Sequence, residues 1–113
     1  MKKFAAFILI FLAFTGISEA FIREGRIPGK SGLAFYGVRY DFDSLTLSVK
    51  NSTKYNKTFG GSMLFFDRHN KLVARAEIRP AKIKRHSSRK YKAFFTKGSG
   101  NEARQASFLE WEF

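Results

Sequence analysis

Met63-Leu64-Phe65-Phe66-Asp67-Arg68-His69-Asn70-Lys71-Leu72-Val73-Ala74-Arg75-Ala76-Glu77-Ile78 is the stretch that decides the fold class. Met63 to Phe66 is apolar on both parities, as expected of a strand covered on both sides. Leu72, Ala74, Ala76 and Ile78 alternate with Val73, Arg75, Glu77 and Arg79, the period that puts every second side chain on one face of a strand. Asp67 to Lys71 between them is turn chemistry, so the two runs pair as a β-hairpin. Pro80 lacks a backbone donor and is expected to end the second strand.

Toward the N-terminus, Ala34, Tyr36, Val38, Tyr40 and Phe42 recur at every second position, predicting a strand over residues 33–42. Asp43 and Ser44 interrupt it. Leu45, Leu47 and Val49 then alternate with Thr46, Ser48 and Lys50, a half-buried strand. NSTKYNKTFGG, residues 51–61, is composed of turn formers and reads as a loop.

Toward the C-terminus, KIKRHSS reads as a basic connection with Ile83 tucked inward, and Tyr91, Ala93 and Phe95 mark another strand. Lys97 to Asn101 reads as a flexible turn. In the last segment Ala106 and Phe108 share one parity while Leu109, Trp111 and Phe113 share the other, which a bulge near Phe108 and Leu109 would reconcile. Short alternating runs with no amphipathic helix predict an all-β fold, a small antiparallel β-sandwich or barrel. A single such domain is expected over residues 33–113, after a lead-in segment at 21–32.

The first twenty residues, MKKFAAFILIFLAFTGISEA, place Lys2 and Lys3 before an apolar run, which ends at the small-residue site Ser18-Glu19-Ala20. That order is the signature of an export signal peptide, expected to be helical and cleaved after Ala20. The apolar run from Phe4 to Ile17 falls short of the roughly 20 residues of a stable transmembrane anchor. Export implies a periplasmic or extracellular location. The chain has no cysteine, so neither a lipid anchor at the cleavage site nor a disulfide framework is open to it. Aromatic packing has to supply the stability, and ten of the fourteen Phe lie beyond the leader, beside four Tyr and Trp111.

A second set of residues carries a family resemblance. Leu45-Thr46-Leu47-Ser48-Val49-Lys50-Asn51-Ser52-Thr53 resembles a strand ending in a Val-x-Asn-Ser/Thr turn, and Met63-Leu64-Phe65-Phe66-Asp67 stands in the place of an F-x-L-Y-D motif. Asn70-Lys71-Leu72-Val73 follows where such domains have Asn/Gly-Lys-Leu-Val, and residues 83–94 resemble their later connection and aromatic strand. Over roughly residues 45–95 the chain resembles the FxLYD-type, immunoglobulin-like sandwich domains of bacterial envelope proteins. The resemblance implies an extracytoplasmic accessory module, and it brings no catalytic residues with it.

Formal net charge is +12, and removing Lys2, Lys3 and Glu19 with the leader leaves +11. So basic a surface favours polyanions. Seven cations, Arg79, Lys82, Lys84, Arg85, Arg89, Lys90 and Lys92, occur within residues 79–92 without one acid, and this is the candidate anion-binding segment. Edge-strand lysines also guard sheets against aggregation, which is the plainer role for them. Phe65-Phe66 and Phe94-Phe95 each send one ring to either side of a strand.

His69 in the hairpin turn and His86 among cations have no partner for a hydrolytic triad, and two isolated His without Cys match no metal-ligand spacing. The carboxylate pairs Asp41 with Asp43 and Glu110 with Glu112 read as solvent-facing. No catalytic residue, cofactor or metal is expected. The reading is an exported, non-enzymatic module whose partner is a protein or an anionic envelope component. Its rival is a nucleic-acid-binding β-barrel, which calls for aromatics interleaved with cations on one face, and Phe94 alone shares the parity of Lys90 and Lys92.

Overall fold

In the computed structural model, which describes residues 22–113, the alternation at Leu45, Leu47 and Val49 becomes a central strand. The elements are β1 (Gly25–Arg26), β2 (Leu33–Tyr40), β3 (Ser44–Asn51), β4 (Lys57–Phe66), β5 (Leu72–Ile83), β6 (Ser87–Lys97), α1 (Gly100–Arg104) and β7 (Phe108–Glu112). β3 buries Leu45, Leu47, Val49 and Asn51 on one side. It pairs antiparallel with β2 and β6, with Phe35 opposite Val49 and Tyr91 opposite Leu47. In the β4–β5 hairpin Met63 lies opposite Ala76 and Phe65 opposite Ala74, and all four are buried. The fold is all-β: one antiparallel sheet of order β1-β2-β3-β6-β5-β4-β7. The leader and its cleavage site lie outside the described residues.

The sheet curls until its two ends share one core. Tyr40 of β2 meets Phe65 of β4 with ring centroids 6.2 Å apart, and Phe35 of β2 meets Trp111 of β7 at 5.5 Å. Phe59 is fully buried among Tyr91, Trp111 and Phe113, with centroids at 5.3, 5.7 and 6.0 Å. Edge-to-face rings of this kind add to what their buried area contributes. The expected lead-in is part of the sheet, because Gly25 and Arg26 pair with β2 and Ile27 enters the core.

Several boundaries differ from expectation for physical reasons. The loop at 51–61 shrinks to residues 52–56, and Phe59 belongs to a strand. The β4–β5 register shifts there between Phe59 and Gly61, where Arg79 and Pro80 of β5 bulge opposite Gly60. A Cβ on Gly60 would lie 2.6 Å from Pro80 Cα, so only glycine admits the proline backbone so close. Pro80 does not end β5, which runs on to Ile83. It falls between the pairs Gly61–Ile78 and Phe59–Ala81, and the β5–β6 ladder ends at Ile78–Ala93, so neither ladder calls on its missing N–H.

β2 stops at Tyr40, and Phe42 sits exposed in the following turn. Gly37, at φ 65°, carries a bulge that switches parity, so Leu33 and Phe35 face the core before it and Val38 and Tyr40 after it. Ala34 and Tyr36 therefore lie on the opposite face from the one their alternation with Val38 and Tyr40 suggests. The turn at 97–101 leads into α1, whose Ala103 is buried. β7 pairs with β4 without interruption from Phe108 to Glu112, so the parity change falls before the strand, and no bulge forms at Phe108 and Leu109. Ser107 N–H donates to Phe66 O at that entry. Ile83 is buried as expected, while Phe65 and Phe95 face inward and Phe94 is exposed.

Candidate functional site

Three loops at one end of the sheet are tied together through Asn51. Its amide, completely buried, donates to Tyr55 O at 2.8 Å and Ile83 O at 3.3 Å, and its Oδ1 accepts from Thr53 N and Thr53 Oγ1. Ser52 N–H donates to Gly32 O, His86 N–H to Thr53 O and Arg85 N–H to Asn56 Oδ1. Lys57 Nζ reaches Ser31 O at 3.1 Å. These contacts gather Lys30, Lys54, Lys57, Lys84 and Arg85 into one basic pole. Two aromatic rings sit within it, with Lys54 Nζ 5.7 Å from the centroid of Tyr55 and Lys30 Nζ 4.7 Å from that of Phe113.

From this pole the cations continue along the outer face of β6. Lys50 stands opposite Ser88, Lys90 opposite Ser48 and Lys92 opposite Thr46. One strand further, Tyr36 stands opposite Ser48 and Arg39 opposite Thr46, so both join the same face. Phe94, opposite Ser44, closes the row with Lys92 Nζ 5.4 Å from its ring. Arg79 projects outward from β5 beyond the last β5–β6 pair.

The seven expected cations thus fall into three groups. Lys84 and Arg85 belong to the pole, and Arg79, Lys90 and Lys92 to the outward faces. Lys82 and Arg89 face each other across the gap where β5 and β6 splay apart. There the Arg89 guanidinium donates to Lys82 O at 2.6 Å and lies over Tyr91, whose hydroxyl donates to Ala81 O. Arg89 therefore gives a side-chain hydrogen bond to a backbone carbonyl of β5. All seven are exposed, and none of the seven is ion-paired to a carboxylate among the described residues.

Lys30, Lys50, Lys54, Lys57, Arg39 and Tyr36 were not anticipated as members of this surface. A signal for them is present in the sequence: residues 25–40, 44–66 and 78–101 contain no Asp or Glu at all. The acids cluster elsewhere. Glu77 and Glu112 flank Arg75 at 2.6 and 2.9 Å, with Ser62 Oγ donating to Glu77. Asp67 closes the β4–β5 turn by accepting from His69 N and Lys71 N, and these hydrogen bonds, that of Lys71 foremost, hold its carboxyl below the ordinary range.

An open cleft of about 690 Å³ lies beside β2 beyond the end of β1, where Arg39, Tyr40 and Arg104 line it. Tyr40 Oη donates to Ile22 O at 2.7 Å, and burial pushes this hydroxyl well above the usual phenol range. Among the described residues no group of three or more His, Asp or Glu is placed to hold a metal ion, and no helix is long and apolar enough to cross a membrane. No family model, curated protein or solved structure matches this chain.

Proposed function

We propose that this protein is an exported, non-enzymatic binding module that docks on a polyanionic partner through its basic pole and the adjoining face of β6. The observation that carries the reading is the convergence of Lys30, Lys54, Lys57, Lys84 and Arg85 from acid-free segments onto loops clamped by Asn51. Fixing backbones costs conformational entropy before contact, so a rigid cationic surface loses less on binding than mobile lysine-bearing tails would. The leader at residues 1–20 supports export, and the FxLYD-type, immunoglobulin-like resemblance supports an accessory role. Asp67 and Asn51, the residues most distinctive in that resemblance, close turns by hydrogen bonding, as an interaction scaffold needs.

Retention of residues 21–113 on immobilised heparin and on anionic liposomes tests this. Strong retention at low salt, falling as salt rises, is expected. Lys54→Ser, Lys84→Ser and Arg85→Ser combined should elute at markedly lower salt, whereas Arg68→Ser with Lys71→Ser in the β4–β5 turn should elute near the parent. Absence of retention at low salt on every polyanion would overturn the reading.

A further inference from the structure

We infer that the polyanion is a single-stranded nucleic acid, lying on the outer face of β2, β3 and β6 with bases stacked on Tyr36 and Phe94 and phosphates held by Lys90 and Lys92. The inference rests on the proposed polyanion binding and names its chemical class. Strand order brings the elements of such a surface together: Tyr36–Ser48–Lys90 and Arg39–Thr46–Lys92 are two transverse rows, followed by Ser44–Phe94. Tyr36 is 41% and Phe94 55% exposed, so both side chains are open to solvent, with Lys92 Nζ over one face of the Phe94 ring. Between them Ser48 and Thr46 are small, leaving a shallow floor with hydroxyls that can donate to phosphate oxygens.

The spacing suits an extended strand. Lys90 and Lys92 are two residues apart on one face, about 6.8 Å at the usual strand rise, which matches successive phosphates rather than a single anion. Tyr36 and Phe94 are separated by two strand spacings and four residues of β6, roughly 16 Å, enough for a few nucleotides between stacked bases. The three strands β2, β3 and β6 contain no acid, and the exposed Asp41 and Asp43 lie in the turn at the Phe94 end of the face. The nearest carboxylate in register, Glu77 opposite Phe94, is already held by Arg75 and Ser62. A polyanion without rings would find the lysines here but have no use for two solvated aromatics flanking them.

Fluorescence anisotropy with a short labelled oligothymidylate and residues 21–113 tests the assignment. Tyr36→Ser and Phe94→Ser should each weaken binding about 5- to 100-fold while leaving heparin retention unchanged, and Phe94→Trp should hold or tighten it. Lys90→Ser and Lys92→Ser should each lower the slope of log affinity against log salt by about 0.7. Inorganic polyphosphate should compete poorly at equal charge. If both aromatic variants bind oligothymidylate as the parent does, or polyphosphate displaces it equally well, the inference falls although polyanion binding stands. Equal losses on heparin and on oligothymidylate in the aromatic variants would overturn it in favour of an acidic polysaccharide. A parent that binds no polyanion at all would remove the underlying proposal as well.

Discussion

The indole of Trp111 in β7 meets the ring of Phe35 in β2 edge to face, with centroids 5.5 Å apart, although five places in the strand order separate their strands. Trp111 also touches Phe59 and stacks on Phe113 with an interplanar angle of 4°. This cluster holds the curled sheet closed in a domain with no cysteine. Trp111→Ala should cost about 3 kcal/mol, near the lower end for large aromatics because the ring is only partly buried. Trp111→Phe should cost clearly less. Urea unfolding followed by far-UV circular dichroism measures both, and an alanine variant as stable as the parent would show that the curl closes without this contact.

Gly60 and Pro80 form the second close approach, across the β4–β5 bulge. Alanine at position 60 would place Cβ 2.6 Å from Pro80 Cα and 2.8 Å from its nitrogen, both backbone atoms that no rotamer change can move. Gly60→Ala should therefore destabilise by about 1–3 kcal/mol, the usual cost of overpacking. Pro80→Ala removes only the 3.0 Å contact with Cγ and keeps Cα and N, so it should not rescue Gly60→Ala. Full recovery of stability in the double variant would show that the proline ring, not the backbone, sets the cost.

Period-two alternation made β3 and β5 legible, because each has one face in the core, and the apolar run Met63 to Phe66 with the turn after it supplied the hairpin partner. Paired glycines were not legible, since they signal a turn and a bulge alike, and only Pro80 across the ladder distinguishes the two. One turn of helix, α1, is too short to show a period. The candidate site was half legible. Contiguous cations in 79–92 stand out in the chain, but Lys30, Lys54 and Lys57 join them only through the long-range hydrogen bonds around Asn51 and Ser31. Tyr36 reaches the face of Lys90 because β3 pairs with β6 across a crossover and because Gly37 shifts the parity of β2, neither of which a local pattern encodes.

Asn51 couples the core to the basic pole. Its side chain makes four hydrogen bonds within the fold, two donated and two accepted, while fully buried. Asn51→Ala leaves the carbonyls of Tyr55 and Ile83 without this donor and should cost about 2–4 kcal/mol. Asn51→Asp should be worse, because it puts a carboxylate against those two carbonyl oxygens. Hydrogen exchange should rise first at Thr53 and Tyr55, and heparin elution should shift to lower salt as the loop carrying Lys54 loosens. A stable Asn51→Ala variant with parental exchange at those amides would break the proposed link between this residue and the pole.

Acid lability should centre on Glu77. The hydrogen bond from Arg75, then that from Ser62, holds the Glu77 carboxyl below its ordinary value of 4.5. A carboxyl lowered in the folded state binds protons more readily once unfolded, so its contribution is complete above the ordinary value and is lost as pH falls through the folded one. Asp67 acts in the same direction through its turn hydrogen bonds. Arg75 and Glu77 are 37% and 40% exposed, so solvent and salt screen the pair and the effect should be small. The urea midpoint of the parent, followed from about pH 6 to about pH 2, should decline below about pH 4.5, and Glu77→Gln should flatten part of that decline while lowering the midpoint at neutral pH. Parallel curves for parent and Glu77→Gln would place the acid sensitivity in the remaining carboxylates or in the repulsion that builds as a chain already at +11 gains charge.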